Sequence, residues 1–168
     1  VVRKIGQGGM GKVYAATHPT LKRTIIIKQL LGSAKKMMTR RFLREASLML
    51  DFRQDNIVPV YDHFKEGNSY FIAMEYVEGL SLEDLIKKKG RLTPLAAMLI
   101  FREACKGLAY AHNRGVIHRD IKPDNVLIAN NGAVKLADFG IATAPDGEEG
   151  LTKTGVAMGT PAFMSPEQ

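Results

Sequence analysis

His118-Arg119-Asp120-Ile121-Lys122-Pro123-Asp124-Asn125 and, shortly after it, Asp138-Phe139-Gly140 are the two runs on which the reading of this chain turns. Each sets ionisable or metal-binding side chains at fixed spacing. Between them lie two apolar stretches, Val126 to Ile128 and Val134 to Leu136, around Asn130-Asn131-Gly132. An Asn-Gly turn between apolar strands is a strong hairpin signal. A hairpin brings its two ends together, so Asn125 and Asp138 are expected side by side. An amide oxygen and a carboxylate converging beside Asp120 and Lys122 suit Mg²⁺ and a phosphate better than an apolar core.

Nearer the N-terminus, Gly6-Gln7-Gly8-Gly9-Met10-Gly11-Lys12-Val13 fits G-x-G-x-x-G-x-V. Alone this run is a weak signal, because many glycine loops are only turns. A dinucleotide fold needs a helix after the last glycine and an acid roughly 20 positions on. Here Val13-Tyr14-Ala15-Ala16-Thr17 reads as a strand, and no Asp or Glu precedes Glu45. The loop is therefore expected to be the turn of an antiparallel hairpin, whose glycines let the backbone lie close to phosphates.

Ile25-Ile26-Ile27-Lys28 is a β-branched run ending in a lysine. An ordinary strand with a solvated lysine is one reading. The charge distribution supports another. Residues 1–44 carry eleven Lys/Arg and no acid, while the remainder carries thirteen Lys/Arg against seventeen Asp/Glu, so +11 and −4 make the net +7. A basic segment facing a more acidic one could hold an anionic nucleotide with its divalent cation. Glu45 lies in a stretch, Thr39 to Leu50, where Phe42, Ala46 and Met49 recur at helical spacing, with Thr39 as N-cap. A helix packed on the sheet could bring Glu45 to Lys28; the alternative is a surface salt bridge with Arg41, worth little.

Taken together and in order, these residues resemble the protein kinase family. Residues 6–13 match its glycine loop, Lys28 its strand-three lysine and Glu45 that lysine's helix partner. Met74-Glu75-Tyr76-Val77 resembles the gatekeeper and hinge. His118 to Asn125 matches the catalytic loop, Asp138-Phe139-Gly140 the metal-binding triplet, and Gly159-Thr160-Pro161 through Pro166-Glu167 the end of the activation segment. Lys122, two residues after Asp120, and Gly159-Thr160-Pro161 are typical of the serine/threonine type. The ending Ser165-Pro166-Glu167-Gln168 is most similar to bacterial members. Two positions depart from the pattern. Ile26 stands where a small alanine is usual and could tighten the adenine pocket, and Ser165 replaces the commoner alanine.

The resemblance implies an α+β, two-lobe fold: residues 1–76 an N-lobe of antiparallel sheet plus one helix, and residues 77–168 the first part of a mainly helical C-lobe whose later helices are not in this chain. It implies ATP and Mg²⁺ as cofactors and Ser/Thr-containing proteins as substrates. Asp120 would accept or orient the hydroxyl proton, Lys122 neutralise the γ-phosphate, and Asn125 and Asp138 hold Mg²⁺. Lys28, oriented by Glu45, would hold the α/β-phosphates, with Gly6, Gly8 and Gly11 above them. Glu75 and Val77 backbone groups would bind the adenine edge, and Val13, Ile26 and Leu127 would sandwich its ring, with Ile5 and Met74 also lining the nucleotide site. Thr160 would bond near Asp120 and Lys122. His118 is expected to pack with Phe139, Met49 and Val60 rather than to move protons. Thr152 and Thr154 are candidate autophosphorylation sites, read by Arg119 and Arg41; a dimer acting in trans stays open.

The 168 residues, 45% hydrophobic, can bury a core. Ser81-Leu82-Glu83-Asp84-Leu85-Ile86 reads as a helix capped by Ser81, and a second helix is expected from about Pro94 to Asn113, with Leu95 and Leu99 on its apolar side, Arg102, Glu103 and Lys106 on its polar side, and Gly115 marking its end. The lone Cys105 permits no internal disulfide, which fits a reducing, cytoplasmic setting, and it reads as a packed thiol. No run of 18 apolar residues occurs, so no membrane segment is expected. Lys87-Lys88-Lys89 reads as a solvated helix end. With no Trp and no basic–aromatic interleaving, nucleic-acid binding is disfavoured. Two other classes remain: a non-catalytic nucleotide-binding regulator or inactive fragment, and a small-molecule phosphotransferase.

Overall fold

β-Branched and aromatic residues, as in Thr24-Ile25-Ile26-Ile27 and Tyr70-Phe71-Ile72, favour sheet in the N-terminal half. The computed structural model describes residues 2–8, 11–30, 43, 46–139 and 161–163. Strands β1 (Val2–Gly8), β2 (Gly11–Thr17), β3 (Thr24–Leu30), β4 (Val60–Glu66) and β5 (Ser69–Glu75) form one antiparallel sheet in the order β1-β2-β3-β5-β4. The glycine-rich run is the hairpin expected of it: β1 and β2 pair as far as Gly8 opposite Gly11. Gly11 has a steric reason as well, since a Cβ there would lie 2.0 Å from the Gln29 carbonyl oxygen.

Residues directly opposite each other in a sheet share a face. Lys28 lies opposite Val13 on one side and Ile72 on the other; Ile26 lies opposite Ala15 and Met74. Ile72 and Met74 are buried, so this is the covered face of the sheet. Residues 46–50 are helical, and Ala46 and Met49 are buried in the same core cluster as Leu30, Val60, Ile72 and Met74.

A second, three-stranded sheet runs β6 (Gly79–Ser81), β7 (Val126–Ala129), β8 (Val134–Leu136), all antiparallel. Strands β7 and β8 are the expected Asn-Gly hairpin. Gly132 takes a positive φ of 86°, and the Asn131 carboxamide oxygen accepts from the Ala133 N–H at 3.0 Å. The two sheets are stitched together ahead of β4. Ile57 bridges Leu136, Val58 N–H donates to Leu136 O at 2.9 Å, and Leu136 N–H donates to Asn56 O at 2.9 Å.

Helix α1 (Leu82–Lys89) is capped as expected: Ser81 Oγ accepts from Asp84 N–H at 3.0 Å. Its acids fall in the first turn and Lys87, Lys88 and Lys89 in the last, matching the helix dipole. Helix α2 (Pro94–His112) opens on a Thr93 cap with Pro94 in its first turn, and Gly115 follows its end with a φ of 73°. Helix α2 packs through its small side chains and leaves part of its apolar side exposed. Leu95 and Leu99 are exposed at 67% and 44%, while Gly107 and Ala111 are buried and Ile100, Ala104 and Leu108 lie against the core. Small side chains decide this, because they let the helix backbone approach: a Cβ on Gly107 would lie 2.7 Å from the Asn56 carbonyl oxygen.

Candidate active site

The run after His118 coils back on itself. Lys122 O accepts from Asn125 N–H at 3.0 Å, closing the single 3₁₀ turn Pro123–Asn125. This turn tucks Asn125, 5% exposed, beneath Asp120. The Asn125 amide donates to the Asp120 carbonyl at 2.7 Å and to Asp120 Oδ2 at 2.9 Å. The same Oδ2 lies 3.0 Å from Lys122 Nζ. One carboxylate oxygen is thus fixed by an amide and an ammonium. With the amide nitrogen donating to Asp120, Oδ1 is the acceptor that Asn125 could offer a cation.

Asn125 also anchors the far end of the hairpin. Its carbonyl accepts from Ala137 N–H at 2.9 Å, which places Asp138 next to it, as the hairpin required. The Ala137 carbonyl in turn accepts from His118 Nε2 at 2.9 Å, and His118 Nδ1 accepts from Asp120 N–H at 3.3 Å. These two bonds need hydrogen on Nε2 and a lone pair on Nδ1, a neutral imidazole. Burial pushes the His118 pKa below its ordinary value, in agreement. The ring also sits 4.4 Å from that of Phe139, which is 2% exposed and shares the core with Met49 and Val60. His118 is therefore a packing and bracing residue, as expected, with both nitrogens occupied.

Lys28 reaches from β3 to this point. Its Nζ lies 2.8 Å from Asp138 Oδ1. Burial raises the Asp138 pKa, but the Lys28 charge and hydrogen bond, with smaller help from His118 and Lys122, carry it below the ordinary carboxylate range. Asp138 and Arg119 both take left-handed backbone, with φ of 55° and 63°. That region is uncommon for residues with a Cβ and marks conformations held by their surroundings. The expected partner of Lys28, Glu45, and the expected neighbour of Asp120, Thr160, both lie outside the described residues, as do Thr152 and Thr154.

The donor set suits a hard cation. Asp138 offers a carboxylate and Asn125 an amide oxygen, and no three His, Cys, Asp or Glu side chains among the described residues cluster as a complete cage. Mg²⁺ is held in this manner, by one or two protein oxygens plus phosphates and water.

Above these groups, Val13, Ile26 and Met74 lie on one face of the five-stranded sheet, while Leu127 lies on β7 opposite Ser81 and Lys135. Ile26, Val77 and Leu127 all pack against the edge of the core. Ile5 is 45% exposed on β1, and Gly6 pairs with Val13 just past a bulge. One ion pair here was not anticipated: Lys135 Nζ lies 2.8 Å from Glu75 Oε2, tying β8 to the end of β5. Alternation along Val134-Lys135-Leu136 could have shown that Lys135 faces away from the core, though not what it meets.

The protein kinase domain family matches residues 1–168 of this chain. The serine/threonine-protein kinase PrkC of Bacillus subtilis is 41% identical over 170 residues, covering 100% of this chain and 26% of that protein. PknL of Mycobacterium tuberculosis, also a serine/threonine-protein kinase, is 38% identical, covering 100% of this chain and 42% of its own length. The crystal structure of the M. tuberculosis PknI kinase domain superposes with a TM-score of 0.75 at 32% identity, over 85% of this chain and 58% of that one. A structure of Rad53 in complex with AMP-PNP gives 0.74 at 30% identity, over 83% of this chain and 37% of its own. The chain thus spans about a quarter to two fifths of the curated relatives' length. It belongs to the protein kinase family, and its two sheets and helices form the two-lobed fold of that family.

Proposed function

We propose that the intact protein transfers the terminal phosphoryl group of ATP to serine and threonine hydroxyls of protein substrates. One observation carries this: Lys28, Asp120, Lys122, Asn125 and Asp138, from motifs far apart in sequence, meet in two ion pairs joined by the Asn125 hydrogen bonds. Phosphoryl transfer asks little covalent chemistry of the protein and depends on such positioning and charge.

In this proposal Asp120, aimed by Asn125 and Lys122, orients the substrate hydroxyl. It takes the hydroxyl proton as the new oxygen–phosphorus bond forms and the bond to the ADP oxygen breaks. Lys122 offsets charge on the moving phosphoryl group, and Lys28 holds the α- and β-phosphates. A divalent cation, held by Asp138 and Asn125, supplies neutralisation of the phosphate oxygens when bound. Gly6, Gly8 and Gly11 cover the phosphates; Ile5, Val13, Ile26, Met74 and Leu127 enclose the base; Glu75 and Val77 bind its edge through their backbone. Rad53, a structural neighbour, was crystallised with an ATP analogue, which supports a nucleotide in the equivalent cleft.

Several assignments extend this proposal. Residues 1–76 act as the nucleotide lobe and 77–168 as the start of the substrate lobe. Glu45 becomes the partner of Lys28 in the loaded enzyme, Thr160 bonds near Asp120, and Thr152 and Thr154 are autophosphorylated, with a dimer acting in trans. The domain works in the cytoplasm, where ATP is. No described helix is long and apolar enough to cross a membrane.

The test is turnover of the intact protein at saturating ATP with a protein acceptor and with small-molecule acceptors. Turnover should appear only on the protein and be lost in Lys28→Met. Equal turnover in that variant, or transfer confined to a small molecule, would defeat the proposal.

A further inference from the structure

The span that links the two sheets is clamped at both ends by one hairpin. Residues 76–78 belong to no helix or strand, and Tyr76 is 39% exposed, so this span has no ladder of its own to hold it. Its first anchor is Glu75, the last residue of β5. Glu75 N–H donates to Pro59 O at 2.9 Å, and Glu75 Oε2 lies 2.8 Å from Lys135 Nζ on β8. Its second anchor is Glu78, whose carbonyl accepts from the N–H of Asn130, in the β7–β8 turn, at 2.7 Å. Strand β6 then follows so close to β7 that a Cβ on Gly79 would lie 2.0 Å from the Ile128 carbonyl oxygen. The far end is thus held to the hairpin by main chain, and the near end by a side chain, Lys135. That ion pair is partly shielded, at 16% and 31% side-chain exposure, so water weakens it less than a fully solvated pair. The same hairpin carries the rest of the site. Leu127 lies directly opposite Lys135 and shares its face, Asn125 precedes β7, and Asp138 follows β8.

We propose that Lys135 is a positioning residue for recognition of the base: by holding Glu75 to β8, it fixes the main chain of residues 75–77 at the spacing from Leu127 and from the phosphate site that an adenine nucleotide needs. This inference rests on the reading above in which that main chain binds the base edge. Lys135 acts through Glu75 and not on the nucleotide itself. Releasing the near end leaves Lys28, Asn125 and Asp138 where they are, because their own bonds do not involve Lys135. The grip on the base is therefore loosened and the grip on the phosphates is not.

The test is calorimetric binding of two probes to the intact protein with Mg²⁺ present: ADP, and tripolyphosphate, which has the phosphates but no base. Lys135→Met and Glu75→Gln should each weaken ADP about fivefold, the loss expected for one partly shielded ion pair, and leave tripolyphosphate unchanged. The double variant should bind ADP no more weakly than either single one, because both remove the same interaction. Lys135→Arg, which keeps the charge, should recover most of the ADP affinity. Thermal melts confirm that each variant is folded, and Glu75→Gln, the closer isostere, carries the comparison if Lys135→Met does not fold. Unchanged ADP affinity in a folded single variant overturns the proposal. So do equal losses for ADP and tripolyphosphate, which mark a general loosening, additive losses in the double variant, and a Lys135→Arg protein as weak as Lys135→Met. In each of these cases ADP binding by wild type leaves the functional reading standing. A wild-type protein that does not bind ADP overturns that reading and the proposal with it.

Discussion

Replacing Asn125 by Ala tests the joint on which the site hangs. The variant removes two hydrogen bonds from a side chain on a residue only 5% exposed, one to the Asp120 carbonyl at 2.7 Å and one to its carboxylate at 2.9 Å. A neutral hydrogen bond contributes about 1 kcal/mol and one to a charged group about 1.5–3 kcal/mol. Asp120 keeps Lys122 at 3.0 Å, which softens the loss of the second. The expected destabilisation is therefore about 2–4 kcal/mol, read as a lower urea midpoint of the intact kinase with unchanged slope. Turnover should collapse as well, because Asp120 is no longer aimed. Asn125→Asp is a companion of nearly equal size. Its carboxylate would face Asp120 Oδ2, so one carboxyl of the pair should titrate upward and part of the lost stability should return on acidification. An Asn125→Ala protein within about 0.5 kcal/mol of wild type would refute the account of the joint, since that is the scatter of ordinary surface changes.

Three further outcomes follow from the packing. Because burial holds the His118 pKa down, the unfolded chain takes up that proton first as pH falls; stability is therefore present above about pH 6.5 and lost from there downward through the folded value. His118→Phe should flatten the fall in urea-derived stability between about pH 7 and 5, and an unchanged slope would put its origin elsewhere. Gly107→Val should destabilise by about 2–3 kcal/mol, because its Cβ would meet the Asn56 carbonyl at 2.7 Å and Leu136 at 3.1 Å. A wild-type melt for that variant would show that α2 is free to back away. Leu95, Met98 and Phe101, exposed at 67%, 68% and 71%, make an apolar face on α2, so Lys substitutions at all three should reduce self-association of this 168-residue chain in sedimentation velocity, whereas unchanged association would locate the sticky surface elsewhere.

How far the sequence could be read depends on whether a signal is local. The Asn-Gly hairpin, the glycine-loop hairpin, the Ser81 cap and the Pro94 helix start were legible because neighbouring residues alone determine turns and caps. The resemblance placed Val13, Ile26 and Lys28 about one cleft, and the strand register puts all three on one face of the sheet. The packed face of α2 was not legible. Leu95 and Leu99 marked an apolar side, but close approach was decided by Gly107 and Ala111, whose signal is the absence of a side chain. Nor could any local pattern show that Asn56, in the turn ahead of β4, would bond Val134 O on β8 at 3.0 Å. Lys28 marks a different kind of limit. Spacing placed it at the cleft, and the motifs offered it Glu45, but its contact among the described residues is Asp138. A lysine on a strand over a cleft can reach several anions, and the one it meets depends on what else is bound there. Sequence determines where the stem is rooted, not which carboxylate its ammonium meets.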